Sequence, residues 1–217
     1  GVESRELFGL TLEQPRNNFV PGRDYLSNIV TTKRDLSETA RRDLLVATIA
    51  VKYTQSNSVV SSWEGQIVGA GAGQQSRIHC VRLACGKADR WHLRQHPAVR
   101  DLRFRKGVTR ADRDNAIDLF FEDELSTAEE TAWRSTFRQP PERLDVSARR
   151  QWLDSMQGVA ISSDAFFPFR DNIDRASRSG VSYVVQPGGS KKDDVVIAAA
   201  NEYGMAMVFS GVRLFHH

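Results

Sequence analysis

The apolar positions of this chain change period several times, and each change marks a predicted element. "DLSETARRDLLVATIAVKYT" (residues 35–54) opens charged and closes on "LLVATIAV", apolar on every side. That pattern predicts a helix with Ser37 as N-cap and a second half buried all round. "SVVSSWEGQIVGAG" holds two short apolar runs across Glu64-Gly65, the pattern of a tight hairpin. A second helix is predicted from near Gln74 through "SRIHCVRLA". Ahead of all these, residues 1–30 carry Pro15, Pro21 and Gly22 as punctuation and read as an extended lead-in.

The last third alternates most regularly. "GVAISSD", "VSYVVQP" and "MAMVFSG" are short apolar strands, separated by the helical stretches "FRDNIDRASRSG" and "DDVVIAAANEYG". Gly180 and Gly204 are the predicted C′ residues of those helices. A βαβαβ order with apolar strands predicts an α/β fold, a mostly parallel sheet covered by helices on its faces. Ligands of such sheets gather beyond the carboxyl ends of the strands, where "SSDAFFPF", "QPGGSKK" and "GVRLFHH" fall. Residues 97–156 break the pattern: they are charge-rich, carry Trp133 and Trp152, and hold two helical runs, "TAEETAWRSTF" and "SARRQWLDSM". They read as an inserted segment or subdomain.

Composition narrows the class. The 217 residues suffice for a sizeable core, and 40% hydrophobic with 26% charged residues is ordinary for a soluble globular chain. A net charge of +3 is too small to argue for nucleic acid. The densest basic run, Arg100 to Arg113, alternates with apolar and acidic residues and reads as a solvated face. Cys80 and Cys85 would sit on different faces of a helix, so no disulfide is expected, and no C-x-x-C or H-x-E string offers a zinc site. Neither a bilayer-length apolar run nor a signal-peptide core is present, so a membrane is not expected and a cytosolic location is.

Three stretches carry candidate chemistry, each with two readings. Thr54 to Ser58 leave the end of a buried helix, where carbonyls and hydroxyls suit either a weakly hydrated monovalent cation or plain C-capping. "GAGAGQQSR" (Gly69 to Arg77) allows close backbone approach to a ligand, or is simply a turn. In "SSDAFFPFRDNIDR" the phenylalanines read equally as core and as an aromatic wall for a flat heterocycle, with Asp164, Arg170 and Asp171 on the same loop. At the C-terminus, Arg213 is either a phosphate fork or part of a frayed tail. No nucleophile–base pair is legible.

Taken together, "VATIAVKYTQSNSV", "GAGAGQQSRIHC", "SSDAFFPFRDNIDRA" and "RLFHH" resemble the AICAR transformylase family, the formyl-transfer part of bifunctional AICAR transformylase/IMP cyclohydrolases. The similarity runs from "LFGLTL" to His217 and is weakest within 121–157. The resemblance implies transfer of a formyl group from 10-formyltetrahydrofolate to the 5-amine of AICAR, in purine biosynthesis. It implies a cytidine-deaminase-like α/β/α fold without the deaminase zinc, 1–96 and 157–217 forming one unit and 97–156 packing on another half, in an intertwined homodimer. It implies AICAR contacts at Asn57, Arg77, Phe166 and Arg213. Folate-side positions would be Ile78, Asn115, Pro168, Asp171, Ser190 and Lys191, with His217 facing the site. A structural potassium ion would be held by Val51, Thr54, Ser56, Ser58, Asp164 and Leu214.

One departure matters. The family's general base and its partner form a Lys-His pair in a "KHVSPAG"-like string, which this sequence lacks. The expectation is therefore a C-terminal half of the transformylase that binds parts of both substrates and depends on the upstream half, or on another chain, for proton transfer. The competing expectation is a non-catalytic nucleotide- or folate-binding module.

Overall fold

A computed structural model describes residues 1–216, so His217, one of the candidate site residues, lies outside the described residues. The chain opens on β1 (Val2–Leu7) and β2 (Leu10–Pro15), an antiparallel pair standing apart from the other strands. The lead-in is thus partly a hairpin, which its prolines, sitting at and beyond the end of β2, do not forbid. A short 3-10 turn at Arg23–Leu26 buries Tyr25 and Leu26.

Helix α1 (Glu38–Lys52) begins where predicted: the Ser37 hydroxyl accepts from the Ala40 N–H. Its second half is covered on one side only. Leu44, Ala47 and Val51 are fully buried, whereas Ile49 is 48% exposed. On the outer face Ile49 borders an open hollow with Val20 and Pro21 of the lead-in, so an apolar circumference did not become full burial. β3 (Val59–Trp63) and β4 (Gln66–Gly71) form the expected hairpin, Glu64 and Gly65 both taking positive φ. Asp43 of α1, nearly buried, clamps this turn by accepting from the Glu64 and Gly65 N–H groups at 2.9 and 2.7 Å.

Helix α2 (Arg77–Leu93) starts three residues later than predicted, after Ser76. It leads into α3 (Pro97–Arg100), α4 (Arg110–Phe120), α5 (Thr127–Ser135) and α6 (Val146–Asp154). Val99, Phe120, Phe121, Trp133 and Phe137 of this segment bury one another in a separate apolar cluster joined to the body at Leu93. The Arg100–Arg113 run is largely exposed. Then come β5 (Val159–Ser163), α7 (Asp171–Ser177), β6 (Val181–Gln186), α8 (Asp193–Glu202) and β7 (Ala206–Phe209). Gly204 closes α8 at C′, but Gly180 lies one residue beyond C′ of α7. There its Cα abuts the Met156 carbonyl so closely that a Cβ would sit 1.9 Å away.

The strand order is β4-β3-β5-β6-β7. β5, β6 and β7 are mutually parallel, but β3 pairs antiparallel with both β4 and β5. The sheet is mixed, not mostly parallel by pairing, because the two-residue turn reverses β3 against β4 and β5 then docks on the far edge of β3. Helices cover both faces. α1 packs with Ala160, Val185, Ala206 and Val208 on one side, while α2, α7 and α8 pack with Ile161, Val184 and Met207 on the other. Among the described residues no helix is long and apolar enough to cross a membrane.

Where the inserted segment meets α2, His92 stacks on Trp152 with ring centroids 5.2 Å apart, and the Trp152 indole N–H donates to the His92 carbonyl at 2.9 Å. Burial pushes the His92 imidazole below its usual 6.5, partly opposed by its hydrogen bond to the Trp152 carbonyl and by Asp89. A base with a depressed folded pKa is charged more readily when unfolded, so stability is present above about 6.5 and is lost as pH falls through the folded value. Thermal melts should therefore show the melting temperature dropping on acidification below pH 6.5, and His92→Gln should flatten that part of the profile.

Candidate functional site

The site grows from one buried carboxylate. Asp164, at the carboxyl end of β5, is fully buried, and an unpaired charge there would be costly. Its Oδ2 accepts from the Ser56 hydroxyl at 2.6 Å, the Ser58 N–H at 3.0 Å and the Ser58 hydroxyl at 3.2 Å. Its Oδ1 accepts from Arg77, itself nearly buried at the start of α2. The C-terminal tail is tied to the same hub: the Leu214 N–H donates to the Asp164 carbonyl at 2.9 Å, and the His216 N–H to the Ser56 hydroxyl at 2.9 Å. Leu214 plugs the cluster formed by Ala47, Val51 and Val60.

This hub shapes a cavity of about 190 Å³ lined by Asn57, Arg77, Phe166, Pro168, Arg213 and Phe215, among others. All four residues expected to contact AICAR therefore line one hollow, although they come from four segments. Arg77 spends Nη1 on Asp164 and on the Ser58 carbonyl, and gives one Nη2 hydrogen to Asn57 Oδ1 at 3.2 Å. Asn57 donates through Nδ2 to the Gln74 carbonyl at 3.0 Å. What remains toward the cavity is donor capacity: one hydrogen on Arg77 Nη2, one on Asn57 Nδ2, and the Arg213 guanidinium. Arg213 sits 5.8 Å from the Phe166 ring centre and makes no ion pair among the described residues. Such a wall selects a flat ligand that presents acceptors.

The phenylalanine loop divides its labour. Phe167 is fully buried, with its N–H on Gln186 Oε1 at 2.9 Å. Phe166 faces the cavity, and Phe169 is exposed with the Lys192 ammonium 5.6 Å from its ring centre. The GAGAG stretch also has a physical reading now. A Cβ on Gly69 would lie 2.0 Å from the Ala84 carbonyl oxygen, and one on Gly71 2.2 Å from that of Cys80. These glycines let α2 lie directly on β4; they do not line the cavity.

Beside the first hollow lies a second, of about 310 Å³, lined by Ile78, Arg82, Asp171, Asp174, Arg175 and Arg178. Arg77 and Ile78 are consecutive, so the first turn of α2 stands between the two cavities, and the loop from Phe166 to Asp171 serves both. Of the expected folate-side residues, Ile78 and Asp171 are here and Pro168 is in the first cavity. Ser190 and Lys191 lie on the turn leaving β6 and line neither cavity; it is their neighbour Lys192 that reaches the Phe169 ring. Asn115 is not brought to them: it lines a third cavity of about 330 Å³ with Asp112, Leu119 and Trp133 in the inserted segment. The carboxyl of Asp174 is held below the usual range, chiefly by Arg170, with Tyr203 also donating.

Arg82, Arg175 and Arg178 were not singled out in the sequence. The spacing held the clue, since Ile78 and Arg82 are four apart on α2, and Asp171, Arg175 and Arg178 fall at i, i+4 and i+7 along α7.

Residues 1–87 match the family described as AICARFT/IMPCHase bienzyme. Over 188 residues the chain is 37% identical to the bifunctional purine biosynthesis protein PurH of Magnetococcus marinus, a stretch that makes up 87% of this chain and 25% of that protein. The chain thus spans about a quarter of the length of the curated relative it matches, and it is related to the AICARFT/IMPCHase bienzymes.

Proposed function

We propose that this chain supplies the substrate-binding half of a phosphoribosylaminoimidazolecarboxamide formyltransferase, acting in purine biosynthesis in the cytosol. The observation that carries the reading is the single cavity shared by Asn57, Arg77, Phe166 and Arg213. AICAR is a flat aminoimidazole with a carboxamide oxygen and a phosphate, and so matches a ring wall edged by donors. In this reading Phe166 stacks on the heterocycle, Asn57 and Arg77 orient the carboxamide, and Arg213 takes the phosphate. The neighbouring cavity receives 10-formyltetrahydrofolate, with Asp171 accepting from the pteridine.

The chemistry asks for positioning above all, because the 5-amine is conjugated to the ring and is a weak nucleophile. Its nitrogen bonds to the formyl carbon, the N10–carbon bond breaks, the amine gives up one proton and N10 takes one, leaving tetrahydrofolate. Donors near the formyl oxygen stabilise the charge that gathers there. No Lys-His dipeptide occurs in the sequence, so the proton transfer falls to residues outside it, from an upstream half or a partner copy. Asn115, remote from the other folate-side residues, fits an arrangement in which the inserted segment serves a different protomer's site in a homodimer.

A structural potassium ion belongs to the same reading. Val51, Thr54, Ser56, Ser58, Asp164 and Leu214 offer only oxygen ligands, and Arg77 already neutralises the carboxylate. A neutral oxygen cage fits a weakly hydrated monovalent ion better than a divalent one. Such an ion would tie the end of α1 to the Asp164 loop and the tail.

Calorimetry with AICAR tests the nucleotide part. The chain should bind it, and Arg213→Gln should weaken binding about 10- to 100-fold, the worth of one charge-assisted contact. The dephosphorylated riboside should be nearly insensitive to the same substitution. Adding the upstream half should restore folate-dependent formylation. Tight AICAR binding without formylation in that mixture favours the non-catalytic binding module.

A further inference from the structure

The second cavity is lined by three arginines and two aspartates, and they are not all paired with one another. Arg175 is committed, its Nη2 to Asp89 at 2.9 Å and its Nη1 to the Ser179 hydroxyl at 2.7 Å. Asp174 is likewise spent on Arg170 at 3.0 Å and on the Tyr203 hydroxyl at 2.9 Å. Asp171 accepts from Asn172 Nδ2 at 2.9 Å and keeps lone pairs to spare. Arg82 and Arg178 are exposed, line the same hollow from α2 and from the end of α7, and form no ion pair among the described residues, Arg178 acting on Asp174 only through its field. Two open guanidinium groups in one concave surface match carboxylates, which they bind in a bidentate fork.

Their placement has a direction. Asp171 and Arg178 stand seven residues apart along α7, about 10 Å at the helical rise. The acidic end of the cavity lies beside the AICAR pocket, and the basic end lies away from it. A folate has the same polarity: a pteridine that donates hydrogen bonds, an aminobenzoyl spacer, then a glutamate bearing two carboxylates. We infer that Arg82 and Arg178 form a carboxylate subsite that grips the glutamate tail of the folate co-substrate while its pteridine lies toward Asp171. This rests on the folate reading above and adds to it a specificity determinant remote from the reacting atoms.

The test compares two probes on the full chain by calorimetry: folic acid, and pteroic acid, which lacks the glutamate. Folic acid should bind about tenfold more tightly, the value of two partly solvated charged contacts. Raising the salt should shrink that ratio. In the Arg82→Gln/Arg178→Gln double variant folic acid should fall to the pteroic acid level, with pteroic acid itself unchanged. Both side chains are exposed, so the variant's thermal melt should match the native one. Equal binding of the two probes by the native chain, or a ratio that survives the double substitution, overturns the carboxylate subsite and leaves the folate reading standing. Binding of neither probe overturns both.

Discussion

Asp164→Ala is expected to lose about 3–5 kcal/mol of unfolding free energy, the cost of leaving a buried guanidinium without its counter-charge. Arg77 is nearly enclosed, and the lost carboxylate also deserts the Ser56 and Ser58 hydroxyls and the Ser58 N–H. Asp164→Asn keeps the shape and part of the hydrogen bonding, so it should lose clearly less. Urea denaturation separates the two variants. A loss below about 1 kcal/mol for the alanine variant would mean that Arg77 relaxes to solvent and that the hub does not organise the pocket. On the proposed function, AICAR affinity should fall in both variants, because the Asp164 carboxylate fixes Arg77, which in turn holds Asn57. The asparagine variant makes that visible, since it remains folded while its binding declines.

The second large effect comes from glycine and depends wholly on location. Gly69→Ala and Gly71→Ala should each destabilise the protein by about 1–3 kcal/mol, because the added methyl meets a helix carbonyl that cannot move aside. Those carbonyls belong to Ala84 and Cys80, and relief requires lifting α2 off β4. Since the first turn of α2 carries Arg77 and Ile78, such a shift should also loosen both cavities. Gly86→Ala, in the middle of α2, meets nothing within 4 Å and should stabilise by about 1 kcal/mol through helix propensity. Denaturation curves for the three variants decide the matter: equal signs at Gly71 and Gly86 would contradict the packing described.

The local elements were legible because short-range physics governs them. The Ser37 cap, the Glu64-Gly65 turn and the Gly204 terminus depend on residues a few positions apart. The βαβαβ order of the last third followed from alternating periods in the same way. Sheet direction was less readable. The strands' apolar character does not reveal that β3 lies antiparallel between β4 and β5, since that pairing links residues about a hundred positions apart. The burial of α1 was overstated for a related reason: an apolar circumference records what a helix tolerates, and coverage depends on what packs against it.

For the site, the sequence by itself determined which side chains were worth watching: the hydroxyl cluster after α1, the arginine opening α2, the phenylalanine loop and Arg213. Only the tertiary structure decided their partners. It sent Phe167 inward and Phe166 to the cavity, turned Gly69 and Gly71 into packing contacts, set Asn115 apart, and opened a cavity that Arg82 and Arg178 share with Asp171. The physical reason is that a buried charge such as Asp164 must find its donors wherever the fold can bring them, and Ser56, Ser58 and Arg77 are 108, 106 and 87 positions away along the chain.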